Sequence, residues 1–181
     1  MILAVLSVET TSNKIKREAY DLSSFNYFTR KCVREMIQLT AITLTKKIQN
    51  KSFQKIIQEI TNGKTITFYI KVYEDLMYVM CVKEEYPEHI ALIFLNEASL
   101  ETKDYKILMA EYQDYKSKDV LMSVNKELEE TKYILSDTLE SVIGREEMLD
   151  DLVKNAENLS QQTKQLFLLS RKQNRCFCSF S

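Results

Sequence analysis

Hydrophobic and polar residues follow two rhythms along this chain, and the rhythm changes near Ser117. Upstream, ILAVLSVE (Ile2 to Glu9) alternates loosely and predicts a strand. TTSN is turn-like and Lys14 to Tyr20 predicts a second strand, so the two form a hairpin. DLSS supplies helix-capping side chains, with Ser23 or Ser24 at the N-cap. Phe25, Phe28, Cys32, Met36, Leu39 and Thr43 then recur at spacings of three and four, which predicts an amphipathic helix to about Ile48. Phe53 to Ile60 suits a strand and a helix equally. Asn62-Gly63 marks a turn. In Thr65 to Tyr73, Ile66, Phe68, Ile70 and Val72 share one face of a strand; Glu74-Asp75 reverses the chain, and Leu76 to Val82 predicts a buried strand paired with it. Pro87 fits the first turn of a helix continued by EHIALIFLNEA, and a charged helical segment follows from Lys103 to Tyr115. Strands with helices on their faces predict an α+β domain of roughly 115 residues.

Downstream the period becomes that of one long helix. Counted from Arg145 in steps of three and four, Leu121, Val124, Leu128, Thr131, Leu135, Thr138 and Val142 lie before it. Leu149, Leu152, Ala156, Leu159, Thr163, Leu166, Ser170 and Gln173 lie after it. Ten of these fifteen positions are apolar, and mainly Glu, Asp, Lys, Asn and Gln stand between them, which predicts a coiled-coil seam. At about 1.5–3 kcal/mol per large apolar side chain, a lone helix leaves on the order of ten kcal/mol of burial unrealised, so the seam needs partner helices or a surface to lie on. Arg145 occupies a core position of that seam. It is either a local register break or a residue that fixes register and partner number. A buried guanidinium has five donors, and glutamine amide oxygens on neighbouring helices would satisfy them without a buried anion.

Composition removes several function classes. A net charge of −1 argues against a general nucleic-acid binder. Two glycines leave no P-loop or Gly-rich phosphate loop, and with a single proline they favour long regular elements. We find no catalytic constellation and expect no small-molecule substrate, metal or cofactor. The sole histidine, His89, falls in the first turn of a predicted helix and reads as a surface or capping residue; Cys32 and Cys81 lie on predicted buried faces and read as core. MILAVLSVET is too short an apolar run, and lacks the basic flank, to be a secretory signal, so the cysteines are expected to be reduced in the cytosol. Apolar runs such as Ala91 to Leu95 fall far short of the ~18 residues of a membrane span.

The ending RCFCSFS has chemistry of its own. Cys178-Ser179-Phe180-Ser181 fits the pattern for prenylation of Cys178, and the terminal serine leans toward farnesyl. One prenyl chain binds membranes only marginally, at ~0.8 kcal/mol per buried CH₂, so a palmitoyl or other second lipid on Cys176 would turn visiting into anchoring. After Asn158 come Lys164, Arg171, Lys172 and Arg175 with no acidic residue, a basic tail that favours an anionic leaflet. A Cys-x-Cys metal site lacks further nearby ligands.

These stretches carry a family resemblance. ELEETKYILSDTLESVIGREEMLDDLVKNAENL resembles an R-SNARE motif centred on Arg145. AYDLSSFNYFTRKCVREM and EEYPEHIAL resemble the longin domain, and RKQNRCFCSFS resembles the ending of R-SNAREs that carry lipids in place of a membrane span. Over nearly its whole length the chain is similar to the prenylated longin-type R-SNAREs (v-SNAREs) of the synaptobrevin superfamily. The resemblance implies a longin (profilin-like) domain over 1–117, with an antiparallel five-stranded sheet flanked by helices, a long α-helical R-SNARE coiled coil over 118–175, and a lipidated tail over 176–181. It implies a parallel four-helix bundle with three Q-SNARE helices (Qa, Qb and Qc), with Arg145 as the ionic layer and Leu121, Val124, Leu128, Leu135, Val142, Leu149, Leu152, Ala156, Leu159 and Leu166 as apolar layers. It also implies that the longin domain folds back on the motif through an autoinhibitory groove between Met36 and Leu39 on the first helix and Ile66, Phe68 and Ile70 on a strand. Such a protein moves from the cytoplasm to the cytosolic face of Golgi, endosomal and vacuolar membranes, anchored by covalent farnesyl and palmitoyl groups, and drives docking and fusion. The chain departs from the family pattern in its tail, where Phe177 separates the cysteines and Phe180 stands where an aliphatic residue is commoner, at Gly144 directly before Arg145, and in the short segment from Ser99 to Lys118. Taken alone, the same residues also fit a lipid-anchored homodimeric coiled-coil tether without fusion activity.

Overall fold

Residues 1–48, 52–61, 64–83, 85–115, 135–143, 153–154, 156–157 and 159–165 are described by a computed structural model. The alternating segments become strands β1 (Ile2–Glu9), β2 (Ile15–Tyr20), β3 (Gln54–Thr61), β4 (Lys64–Tyr73) and β5 (Leu76–Lys83). Their pairings are all antiparallel. A sixth strand, β6 (Leu135–Thr138), lies parallel to β3, giving the order β2-β1-β5-β4-β3-β6. The sheet thus has one strand more than the predicted five, and the extra one comes from the segment with the coiled-coil period.

Helices cover both faces, which is why most strands are apolar on both sides. On β5, Met77, Val79 and Cys81 join the core under α1 (Tyr27–Lys47), while Tyr78, Met80 and Val82 join the core under α2 (Glu88–Ser99) and α3 (Tyr105–Gln113). β1 divides the same way, with Leu3 and Leu6 on the first side and Ile2 and Val5 on the second. The Gln113 carboxamide ties α3 to the sheet edge-on: its Oε1 accepts from the Ile2 amide at 3.0 Å and its Nε2 donates to the Ile2 carbonyl at 2.8 Å.

Two local expectations are corrected. The cap of α1 is Asn26, whose Oδ1 accepts from the Phe28 amide at 3.2 Å, and not Ser23 or Ser24; Ser23 instead donates to Asp21. The face of α1 that packs on the sheet carries Val33, Ile37, Ala41, Leu44 and Ile48, one residue out of phase with the predicted stripe, and Phe28 is exposed. α1 has apolar residues on two faces, and the sheet takes only one of them. The ambiguous segment from Phe53 to Ile60 is the strand β3: Gln54, Ile56 and Gln58 are buried on alternate positions, and Gln58 Oε1 accepts from the buried Thr40 hydroxyl at 3.4 Å.

Candidate functional site

The site grows out of the open edge of β3. That edge offers unpaired backbone groups beside an apolar strip of α1, and a segment with matching backbone and side chains can satisfy both. β6 does so. Gln54, Lys55, Ile56 and Ile57 align with Leu135, Ser136, Asp137 and Thr138. The strand then turns directly into the short helix α4 (Leu139–Ile143), capped by Thr138: its Oγ1 accepts from the Ser141 amide at 3.3 Å, and its carbonyl accepts from the Ser141 hydroxyl at 2.8 Å. A residue that favours strands and caps helices is well suited to such a junction.

α4 places Leu139 and Ile143 one turn apart on a single side, and both enter the α1-side core at 0% and 4% exposure. They share that core with Ile37, Ala41, Leu44, Ile56 and Phe68, and Val142 packs at its margin. A second hold lies further along. Glu35 on α1 receives, on Oε2, the Ser160 amide (2.9 Å), the Ser160 hydroxyl (2.9 Å) and the Thr163 hydroxyl (2.6 Å). Ser160 opens a helical turn at 161–165, so the carboxylate sits where the helix dipole is positive. Burial works to raise the Glu35 pKa, but donation from Thr163 and from Ser160, with Lys31 beside it, outweighs that and holds the carboxyl below its usual 4.5. These bonds therefore stabilise the docked segment above about pH 4.5 and are lost as the pH falls through the lower docked-state value. Glu35→Ala should weaken docking by about 1.5–3 kcal/mol, the range for hydrogen bonds to a charged group. Amide exchange at residues 160–163 should accelerate accordingly at pH 6, and the native protein should approach the variant only below about pH 4.5.

The predicted residues are distributed as follows. Ile66, Phe68 and Ile70 lie in the α1-side core, whereas Met36 and Leu39 are half-buried and stand outside it. Val142 and Ala156 are half-buried and Leu159 is buried; Leu135 belongs to β6. Leu121, Val124, Leu128, Arg145, Leu149, Leu152, Leu166, Cys176 and Cys178 lie outside the described residues. Sequence reasoning missed Glu35, Leu139, Ile143 and Ser160. The available signal was the i, i+4 pair Leu139/Ile143, one position off the seam. Cys32 and Cys81 are buried free thiols, and burial pushes the Cys81 pKa far up, which suits core residues and not nucleophiles. His89 is half-buried in the first turn of α2. Among the described residues no group of side chains could hold a metal ion, and no helix is long and apolar enough to cross a membrane.

A helix-flanked sheet of longin type, with a coiled-coil-patterned segment of its own chain laid into the α1–β3 groove, defines a longin-domain protein carrying a helical assembly motif. The comparisons narrow this. The synaptobrevin family matches residues 120–179. The "Synaptobrevin homolog ykt6" of Schizosaccharomyces pombe is 30% identical over 176 residues, covering 87% of both chains. The "Synaptobrevin homolog YKT6" of Yarrowia lipolytica is 32% identical over 179 residues, covering 87% of this chain and 88% of its own, and that of Saccharomyces cerevisiae is 29% identical over 180 residues, covering 88% of both. The chain belongs to the synaptobrevin family, as a longin-type R-SNARE. It is a SNARE of vesicle trafficking that partners other SNARE helices, in a family of fusion factors and not of enzymes.

Proposed function

We propose that this R-SNARE is held closed by its own longin domain and fuses membranes only after release. In the open form, Arg145 forms the ionic layer with glutamines from Qa, Qb and Qc helices, and Leu121, Val124, Leu128, Leu135, Val142, Leu149, Leu152, Ala156, Leu159 and Leu166 fill the apolar layers of a parallel four-helix bundle. Farnesyl on Cys178, palmitoyl on Cys176 and the basic tail anchor it to the cytosolic face of Golgi, endosomal or vacuolar membranes.

One observation carries the autoinhibitory part of this reading. The stretch that would lie mid-bundle is strand over Leu135–Thr138 and a single helical turn or so over Leu139–Ile143, with Leu139 and Ile143 inside the domain core. A residue paired to β3 cannot at the same time be part of a continuous helix, so docking and bundle assembly exclude each other, and any ligand that favours the open form shifts the population toward it.

Mixing the full chain with three Q-SNARE helices tests the proposal. The expected product is a highly helical, SDS-resistant complex that forms faster with Glu35→Ala than with the native chain, since Glu35 belongs to the domain and not to the bundle. If no set of glutamine-bearing helices raises the helicity, the fusion role fails. A stable self-dimer of the 118–175 segment would instead favour the homodimeric tether.

A further inference from the structure

Two aromatic side chains stand at the outer end of α1 away from either core. Tyr27 and Phe28 are 76% and 84% exposed and meet edge to face, with ring centroids 5.7 Å apart at 84°. Adjacent exposed aromatics gain nothing for the fold, and a paired patch marks an interaction surface more than scattered single residues do. Leu100 and Ile107, on the α2–α3 side, are also exposed, but they stand among Glu101, Asp104 and Glu111, and Lys103 there is paired with Glu97 at 3.6 Å and Glu111 at 2.8 Å.

The charge beside Tyr27 and Phe28 has the opposite sign. The Arg30 guanidinium donates to backbone carbonyls, those of Phe25 at 3.1 Å and Ser23 at 3.2 Å, so its positive charge meets no carboxylate among the described residues. Lys31 is exposed; it lies 3.8 Å from Glu35, whose other oxygen already receives Ser160 and Thr163. The first turn of α1 has no acidic residue. Arg30, Lys31 and Arg34 line a surface depression of about 490 Å³ that also includes Tyr20 and Ser23. Arg34 is paired with Glu18, Lys31 shares its charge with Glu35, and Asp21 on the same wall accepts from the Ser23 amide at 3.2 Å and hydroxyl at 2.7 Å, so Arg30 is the cation of the depression that no carboxylate of the described residues pairs, with the exposed Lys31 beside it.

We propose that the N-terminal end of α1 is a membrane-contact surface for anionic bilayers: Tyr27 and Phe28 enter the interfacial layer while Arg30 and Lys31 meet lipid phosphates in the adjoining depression. Tyrosine and its aromatic neighbours settle at headgroup depth, and a guanidinium grips phosphate with a fork of donors. Each basic group near an anionic leaflet adds attraction that salt screens. The contact needs no lipid on any cysteine, so it goes beyond the anchor described above and would act together with it as a second, weak attachment.

The chain contains no tryptophan, so Phe28→Trp in the full, unlipidated protein introduces a single reporter at an exposed position. Its emission should shift to the blue with phosphatidylcholine vesicles containing phosphatidylserine. The shift should fade as salt rises, be absent with phosphatidylcholine alone, and be absent for Leu100→Trp. Tyr27→Ser with Phe28→Ser should lower co-sedimentation with the anionic vesicles about tenfold while leaving thermal unfolding unchanged, and Arg30→Gln should lower it about fivefold, whereas Arg30→Lys, which keeps the charge, should bind like the native chain. Three results would overturn the proposal. The first is vesicle binding with a silent reporter at position 28, which would assign binding to the basic tail and leave the lipid-anchor reading intact. The second is an equal shift at positions 28 and 100. The third is a shift that grows with protein concentration without vesicles, which would make a second copy the occupant.

Discussion

Leu139→Ala is expected to open the molecule. Leu139 is fully buried in the core beneath α1, and truncating such a leucine costs about 2–5 kcal/mol through lost burial and the cavity left behind. At 1.4 kcal/mol per tenfold, a loss near 3 kcal/mol lowers the ratio of docked to released chain about a hundredfold. The readouts are a larger radius of gyration by small-angle scattering and faster amide exchange along β3 at Gln54–Ile57, where β6 aligns with the sheet. The bundle should be spared. The seam runs through Leu135, Thr138, Val142 and Arg145, so Leu139 flanks it, and alanine is at least as good a helix former as leucine. The variant should therefore assemble faster with Q-SNARE helices while giving a complex of nearly native stability. Native exchange rates at β3 in the variant would mean that this contact does not hold the chain closed.

Cys178→Ser is expected to abolish stable membrane residence. A single lipid chain of modest length supports a partition constant of only about 10⁴ M⁻¹, and a second chain converts that into durable anchoring. If Cys178 is prenylated first and Cys176 acylated afterwards at the membrane, Cys178→Ser loses both lipids, whereas Cys176→Ser keeps one. Flotation of cell extracts should then place Cys178→Ser wholly in the soluble fraction and Cys176→Ser partly in each. Intact mass spectrometry of the native protein should find both lipid masses. A Cys178→Ser protein that floats like the native one would refute the lipid anchor.

Much of this architecture was legible because short apolar or alternating runs bounded by turn residues suit strands. β4 carries clear alternation, β1 a looser one and β5 a short apolar run, and the reversals at Thr10–Asn13 and Glu74-Asp75 join them to their neighbours, so these strands could be placed from sequence. β3 was ambiguous for a physical reason. Phe53, Ile56, Ile57 and Ile60 have helical spacing, and the strand buries polar Gln54 and Gln58 beside Ile56 because neighbouring elements cover its edge. α1 was placed correctly but phased wrongly, since its apolar residues occupy two faces and only the sheet decides which one is inward. The C-terminal segment shows the deepest limit. Its heptads describe the bundle it would form with other chains, and a period cannot also encode the strand and short turn it adopts against its own domain. Of the residues that hold it there, Leu139, Ile143 and Ser160 serve the other conformation and are not marked by the seam, whereas Thr163, a seam position, serves it by donating to Glu35.

The parallel pairing of β6 has a further consequence. When the segment leaves, four consecutive positions of β3, Gln54 to Ile57, lose their neighbour, and a bare sheet border invites any extended peptide, including another copy of this protein. On the proposed release, activation would be hazardous unless capture followed quickly. Selection would favour coupling the two events, so that the seam is seized by its proper companions before the vacated border can recruit a stranger. Crowded membranes that bring those companions close would then guard against self-aggregation as well as hasten fusion.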